Sequence, residues 1–488
     1  MGGTGLTPEP RRDQGSVRLD RTGDRRIVME RRIVSGDSFV TAVLPDRTRV
    51  APSGVSVSLE PADDLSATVM RALEHPLDRD PLRESARGAK RVTIAFDDAT
   101  VPCYAPVWEI ALPAIIRELE KAGVDRSLID LVCANALHRK FTHDELASLI
   151  GPELVREFKD RLRCHDAEDP DALSDLGSTA SGYRVELNRC VTDSDLLIYL
   201  NCSTMRAFSG GWKSVCVGLA TYGSIRHHHT PDIMSMSLAR NRMHDMLDEM
   251  GAHVEGTLGA DRIFKLETVL ADPLTVHDVY GGSVRATRAK VLETLRVAQP
   301  ARRDLVAEKA DVVIYGVPDW SPYAAFAHGN PILDLISTGL GYLGGVIQAL
   351  GKPGCTVILA TPCRDRWDER HHPSYREAWD AVLPETRDPD EARREFEPRF
   401  ARRPDYIDAY RNGFGFHPVH AIMALYPLKR LRHAGRVIVA GPDDPAIPAH
   451  CGFDSAPDVA TAVAMAEESH DKDCSIALTE YPPAFNRS

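Results

Sequence analysis

Between Ser209 and His229 the chain sets a lysine behind two glycines and then runs three histidines together. Ser209-Gly210-Gly211-Trp212-Lys213 is followed, sixteen residues after the lysine, by the last of His227-His228-His229. A lysine amine on a glycine-cushioned turn can carry a covalent group, and a neutral imidazole suits nickel, zinc or copper. Two glycines also let backbone N–H groups approach an anion, with a helix start adding a favourable dipole. The Gly-x-x-x-x-Gly-Lys-Ser/Thr spacing of a nucleoside-triphosphate loop is absent, as is His-Glu-x-x-His. Each feature has a plainer reading: the turn can simply join a strand to a helix, and histidine runs occur on solvated surfaces. Adjacent side chains on a helix diverge, so at most one or two of the three imidazoles can share an ion. If Lys213 and a histidine belong to one site, the chemistry is that of an enzyme with a tethered metal cofactor.

Other candidates stand at the ends of apolar runs. Asp97-Asp98 could hold a ribose, a metal or a protonated substrate group, or could cap a turn. His138 is a general-base candidate because an imidazole titrates near neutrality. Arg139 beside it could position an anion, or be solvated. His371-His372-Pro373 lies in a polar stretch with Asp365, Trp367, Asp368 and Tyr375, and could cover a crevice or serve only for docking.

The elements around these residues alternate between strand and helix. Strands are expected at Arg91–Phe96, Leu128–Cys133 and Leu196–Asn201. A helix is expected over Pro106–Ala122, stopping at Gly123, and Thr142 with Glu145 reads as a capping box opening another. Ala286–Val297 reads as a helix closing a first domain. A second unit follows with strands at Asp311–Val317, Cys355–Ala360 and Arg436–Ala440, a long helical stretch Ile332–Leu350 and a helix near Asp458–Glu467. The pattern predicts an α/β protein of two α/β domains with largely parallel sheets and a crevice between them, ligands lying at the carboxyl ends of strands. The expected divisions are a mobile N-terminal arm over 1–35, an N-terminal cofactor-binding catalytic domain over 36–297, and a C-terminal α/β domain over 298–488 with a polar insertion at about 364–415.

The 488 residues suffice for two or three domains, and a formal net charge of −12 argues against nucleic acid as the partner. The basic run Arg25, Arg26, Arg31 and Arg32 reads as a solvated tail. No apolar run approaches the about 20 residues that span a bilayer, and the N-terminus lacks a secretory apolar core, so no membrane partner and a cytoplasmic location are expected. The ten cysteines are scattered without a Cys-x-x-Cys pair and read as small core residues.

Taken together, Asp-Asp-Ala-Thr-Val-Pro (97–102), Leu-His-Arg-Lys-Phe-Thr-His-Asp-Glu-Leu (137–146), Leu-Gly-Ser-Thr (176–179), Phe-Ser-Gly-Gly-Trp-Lys (208–213) and His229 resemble the nickel-dependent lactate racemase family, in order and spacing over roughly 90–300. The resemblance implies a nickel-pincer nucleotide joined to Lys213, with nickel ligated by His229. Ser209, Gly210, Gly211 and Asp98 then belong to the cofactor site and His138 is a catalytic base. It also implies cofactor-biosynthesis proteins as partners and racemisation of a small-molecule 2-hydroxy acid by reversible hydride transfer through a 2-keto acid. Three family features are absent: the carboxylate-binding arginine falls on Val101, the second histidine base on Ser203, and no Lys or Arg occurs from Ala310 through Gly351. Arg139, Arg206 or His227 could supply lost functions, the first two as substrate-binding residues. A non-catalytic homologue that binds the cofactor or an organic acid is the alternative, and a zinc hydrolase built on His227–His229 a third reading.

Overall fold

The computed structural model describes residues 16–19, 25–51, 59–203, 209–235, 237–298 and 308–480. Two six-stranded sheets carry the architecture. In the first, Val92–Asp97 lies between Ile129–Ala134 and Leu196–Ser203, with Leu162–Cys164 at one edge. Ile263–Asp272 and its antiparallel partner Thr275–Gly282 form the other. The three expected strands are parallel neighbours, and their side chains alternate between two buried faces. Val92, Ile94, Phe96, Ile198 and Leu200 enter one apolar cluster with the Val107–Lys121 helix. Ala95, Leu197 and Tyr199 face the other way, onto Trp212, Val215 and the Arg242–Leu258 helix. Burial on both faces is the reason these strands read as continuous apolar runs.

The second sheet is parallel throughout. Ala310–Gly316 lies between Gly351–Ala360 and Ile476–Thr479, with Ala434–Ala440 and Asp454–Ala456 beyond the former and Arg49–Val50 beyond the latter. One apolar cluster runs through both units, joining Val132 and Leu197 to Val313, Leu335 and Tyr426.

Three expectations change. Arg25–Ser35, placed in the arm, is a strand paired with Ser38–Pro45, and Ile33, Ala42 and Leu44 pack against Ile314 and Ile358 of the second sheet. Residues 38–50, assigned to the first domain, are therefore built into the second unit; residues 1–15 of the expected arm lie outside the described residues. The Ile332–Leu350 stretch is two pieces, a wide π-type helix Ile332–Tyr342 and a short α-helix Gly345–Leu350. Gly344 marks the break, where a Cβ would meet the Leu340 carbonyl oxygen. The 364–415 segment, expected as a polar insertion, is largely helical, and Tyr375, Trp379, Phe396, Phe400 and Tyr410 are buried in the shared core.

Candidate active site at the junction of the two units

His138 comes to the junction because the chain turns sharply after the Ile129–Ala134 strand. Ala136 takes a left-handed backbone (φ 51°), a costly conformation for a residue with a Cβ, and its N–H donates to Gly218 O at 2.9 Å. The His138 Nδ1–H donates to Asp98 Oδ2 at 2.8 Å. The Asp98 carboxylate is held in turn by Thr100, whose backbone N–H and hydroxyl donate to Oδ1 at 3.1 and 2.5 Å. With Nδ1 committed to the carboxylate, Nε2 is left as the basic nitrogen. Asp98, expected to hold cofactor, therefore orients His138.

The second unit supplies the opposite wall. The His138 ring has Tyr323, His420 and Phe416 at centroid distances of 5.3, 5.5 and 5.8 Å. His420 shares a 2.7 Å hydrogen bond with the Tyr375 hydroxyl, and burial, followed by the neighbouring His138 charge, holds it neutral well below the usual imidazole range. His372 stacks on Phe416 at 5.1 Å and binds the Tyr323 carbonyl oxygen through Nε2 at 2.8 Å. Composition and spacing gave no sign of Tyr323 or His420, which meet His138 only through the folding of the two units together.

The Ser209–Lys213 turn leaves the Leu196–Ser203 strand after residues 204–208, which lie outside the described residues together with Arg206. Gly210 and Gly211 have φ of 79° and 56°. A Cβ on Gly210 would sit 2.9 Å from Glu267 Oε2 and 3.0 Å from Asn201 Nδ2, so glycine is required for space as well as for conformation. The Gly211 N–H donates to Glu267 Oε1 at 2.5 Å, and Arg288 donates to Ser209 O at 2.7 Å. The turn is thus braced by Glu267 and Arg288, and the helix after it, Lys213–Cys216, has only four residues. The anion cradle expected of this turn gives way to an internal carboxylate.

Lys213 is half-buried, and desolvation lowers its ammonium to about 8, against the opposing pull of Asp97. Its charge reaches both His228 and His229. The histidine run divides as side-chain geometry requires. His228 is fully buried and its Nδ1 lies 2.8 Å from His229 Nδ1, whereas His227 accepts the Arg184 N–H at 3.2 Å on the outer side. Burial keeps His228 and His229 neutral, His228 at about 3 and His229 well below the usual range. The charge of His138 also bears on His229, which places lysine, imidazole and base in one locale.

Beneath the turn lies a buried polar layer in which Asp97 is joined by Lys265 and Glu267, neither of which the sequence reading singled out. Asp97 accepts the Tyr199 hydroxyl at 3.0 Å and the Cys202 N–H at 3.1 Å, and burial raises its carboxyl to about 6. Lys265 is fully buried, donates to Ser214 Oγ at 2.5 Å, lies 4.2 Å from the Tyr199 ring centre, and is lowered by burial to about 8. Glu267 Oε2 is buried with no hydrogen-bond partner.

Arg139 does not face the junction as a substrate residue. It is 1 % exposed. Its guanidinium is spent on a fork to Glu145 (3.1 and 2.7 Å), on Lys140 O at 2.9 Å and on Ala325 O at 2.9 Å. It ties the Thr142–Glu145 capping box, present as expected, to the second unit. Val101 and Ser203 stand where the resemblance places an arginine and a histidine; Ser203 is buried and its hydroxyl accepts from Asn201 Nδ2 at 3.4 Å. Among the described residues no three His, Cys, Asp or Glu side chains are grouped as a metal site.

Residues 35–240 match the lactate racemase N-terminal domain. Lactate racemase of Lactiplantibacillus plantarum is 28% identical over 224 residues, 45% of this chain and 51% of the relative. That of Thermoanaerobacterium thermosaccharolyticum is 25% identical over 305 residues, 61% of this chain and 66% of the relative. The solved lactate racemase apoprotein from T. thermosaccharolyticum superposes with a TM-score of 0.66 over 94% of this chain and 100% of that one, at 20% identity. The chain is thus similar to lactate racemases in sequence over its N-terminal part, and shares their fold over nearly its whole length. A Thermotoga maritima protein shares the fold more distantly, with a TM-score of 0.52 at 14% identity over 88% of this chain and 98% of that one. The matched sequence spans about half the length of the first curated relative and 66% of the second. No helix of the described residues is long and apolar enough to cross a membrane.

Proposed function

We propose that this protein is a racemase or epimerase of a 2-hydroxy acid that works with a nickel-pincer nucleotide held by Lys213 and His229. The observation that carries the reading is the shared locale of a lysine with a lowered pKa, a neutral imidazole locked by its neighbour, and a carboxylate-oriented base. The donor set suits such a group. A lysine near 8 offers a useful fraction of free amine at neutral pH, and a neutral His229 keeps a lone pair for a metal. A single imidazole suits a metal that brings its other ligands with it. When bound, the cofactor supplies a reversible hydride acceptor.

The chain's own part is to bind, orient and move protons. His138 Nε2 takes the substrate hydroxyl proton and returns it, and Asp98 stabilises the imidazolium that forms. Tyr323, Phe416 and His420 close the opposite side and exclude water. Asp97, Lys265 and Glu267 fix the floor under the turn. Val101 in place of a carboxylate-binding arginine supports a substrate other than lactate. The cytoplasmic location, the cofactor-making partners and the division of labour between the two units belong to the same proposal.

The test is stereochemical. Protein co-expressed with the cofactor-making enzymes is incubated with single enantiomers of lactate, malate, phenyllactate and mandelate. Inversion of at least one supports the reading; a nickel-loaded protein that inverts none is a binding homologue instead.

A further inference from the structure

On the outer side of the histidine run, away from His228 and His229, lies an open cavity of about 560 Å³. Arg226, His227, Thr230 and Arg242 line it from the first unit, and Asp390 and Arg393 from the second. Its volume falls within the range of small-molecule sites, about 300–1,000 Å³. Its charges are unequally matched. Arg184 at the rim is spent on Asp175 at 3.2 Å and Glu186 at 2.8 Å. Asp390 and Asp232 are both taken by Arg432. Arg226, Arg242 and Arg393 make no ion pair among the described residues. Arg226 lies over the Tyr222 ring at 5.5 Å, and Arg393 gives one N–H to Arg226 O at 3.4 Å. The Arg393 Nε is buried with no hydrogen-bond partner. A carboxylate outside the lining, Glu397, accepts the hydroxyls of Tyr222 and Tyr426 and acts on Arg226 and Arg393 through its field.

Three guanidiniums without an ion pair among the described residues, in one hollow of a chain with net charge −12, require an explanation. Guanidiniums repel one another, and an arginine fork is best satisfied by a phosphate or carboxylate oxyanion. Donors arriving from three backbone segments suit a tetrahedral group better than a planar one. We propose that this cavity binds a small phosphate-bearing molecule. The space exceeds a lone phosphate and leaves room beside Ile233 and Thr230 for the rest of the ligand. Occupancy would clamp the Pro389–Glu395 helix of the second unit to the segment that carries His229, so the ligand would act on the junction from behind.

Calorimetric titration of the full chain with inorganic pyrophosphate, ADP and citrate, at fixed ionic strength, tests this. Pyrophosphate is expected to bind one to one and at least about tenfold more tightly than citrate. The Arg226→Gln/Arg393→Gln pair should weaken it about tenfold or more, as expected for lost charge-assisted hydrogen bonds. Exposed Arg242→Gln, which breaks no side-chain hydrogen bond or ion pair among the described residues, should weaken it as well and serves if the double variant does not fold. ADP binding tighter than pyrophosphate identifies a nucleotide, and equal binding identifies the phosphates alone. No binding, citrate binding as well as pyrophosphate, or unchanged binding in the arginine variants overturns the proposal.

Discussion

The His138 imidazole is fixed by the Asp98 carboxylate at 2.8 Å, and that carboxylate is itself held by two donors from Thr100. The bond selects the tautomer with a basic Nε2 and supplies a counter-charge for the imidazolium. In cofactor-loaded protein, His138→Gln should lower turnover on the order of 10²- to 10⁴-fold, the usual worth of a positioned general base. Asp98→Asn should lower kcat more than it raises KM, with nickel content unchanged. Steady-state kinetics beside metal analysis checks both; an Asp98→Asn enzyme with intact kcat would remove the base from the account.

Lys213 should be the most readily acylated lysine of the apoprotein near neutrality. Desolvation moves its folded-state pKa down from 10.5 to about 8, so the free amine grows in through pH 8 while exposed lysines remain protonated. Competitive labelling with trace acetic anhydride from pH 6.5 to 10, read by peptide mass spectrometry, should give a midpoint near 8 for Lys213. A midpoint near 10.5 would contradict its enclosure.

Gly251 faces Trp212, the residue before the lysine, and a Cβ there would lie 2.0 Å from the indole. Gly251→Ala must push the indole or the Arg242–Leu258 helix aside, at a cost of about 1–3 kcal/mol for an overpacked core. Thermal unfolding should show a lowered midpoint, and Lys213 labelling should change with it because the turn moves. An unchanged midpoint would mean that the packing of Trp212 is looser than described.

Arg139 and Glu145 form a buried fork that also reaches Ala325 of the second unit. Removing one partner strands the other charge, so Arg139→Met should cost about 3–5 kcal/mol. Its signature is a lowered unfolding midpoint in apoprotein and loaded protein alike. A large rise in KM at unchanged stability would instead restore Arg139 as a substrate residue.

The parallel sheets and the strand-end positions of Asp98, His138 and Lys213 were legible because strands buried on both faces read as apolar runs, and ligand-facing residues follow them. The capping box at Thr142 was legible for the same local reason. Lys265 and Glu267 escaped because charged residues on a strand normally face solvent, whereas here Ile263–Asp272 is covered on both sides and its charges compensate Asp97 and brace Gly211. Tyr323 and His420 escaped because no spacing records contacts made between units 180 residues or more from His138. Charged residues masked the 364–415 segment, although Tyr375, Trp379, Phe396 and Tyr410 bury a continuous face. Arg139 was misread because its partner Glu145 was credited only with capping.

The central claim is that Lys213 carries the cofactor and His229 helps to hold its nickel. The most direct measurement is intact mass and nickel content of the protein co-expressed with the cofactor-making enzymes, for wild type, Lys213→Ala and His229→Ala. The account predicts a covalent mass increase confined to the peptide bearing Lys213 with about one nickel per chain. It predicts no adduct in Lys213→Ala, and an adduct with reduced nickel in His229→Ala. Wild-type protein with neither adduct nor nickel, or an adduct that survives Lys213→Ala, would contradict it.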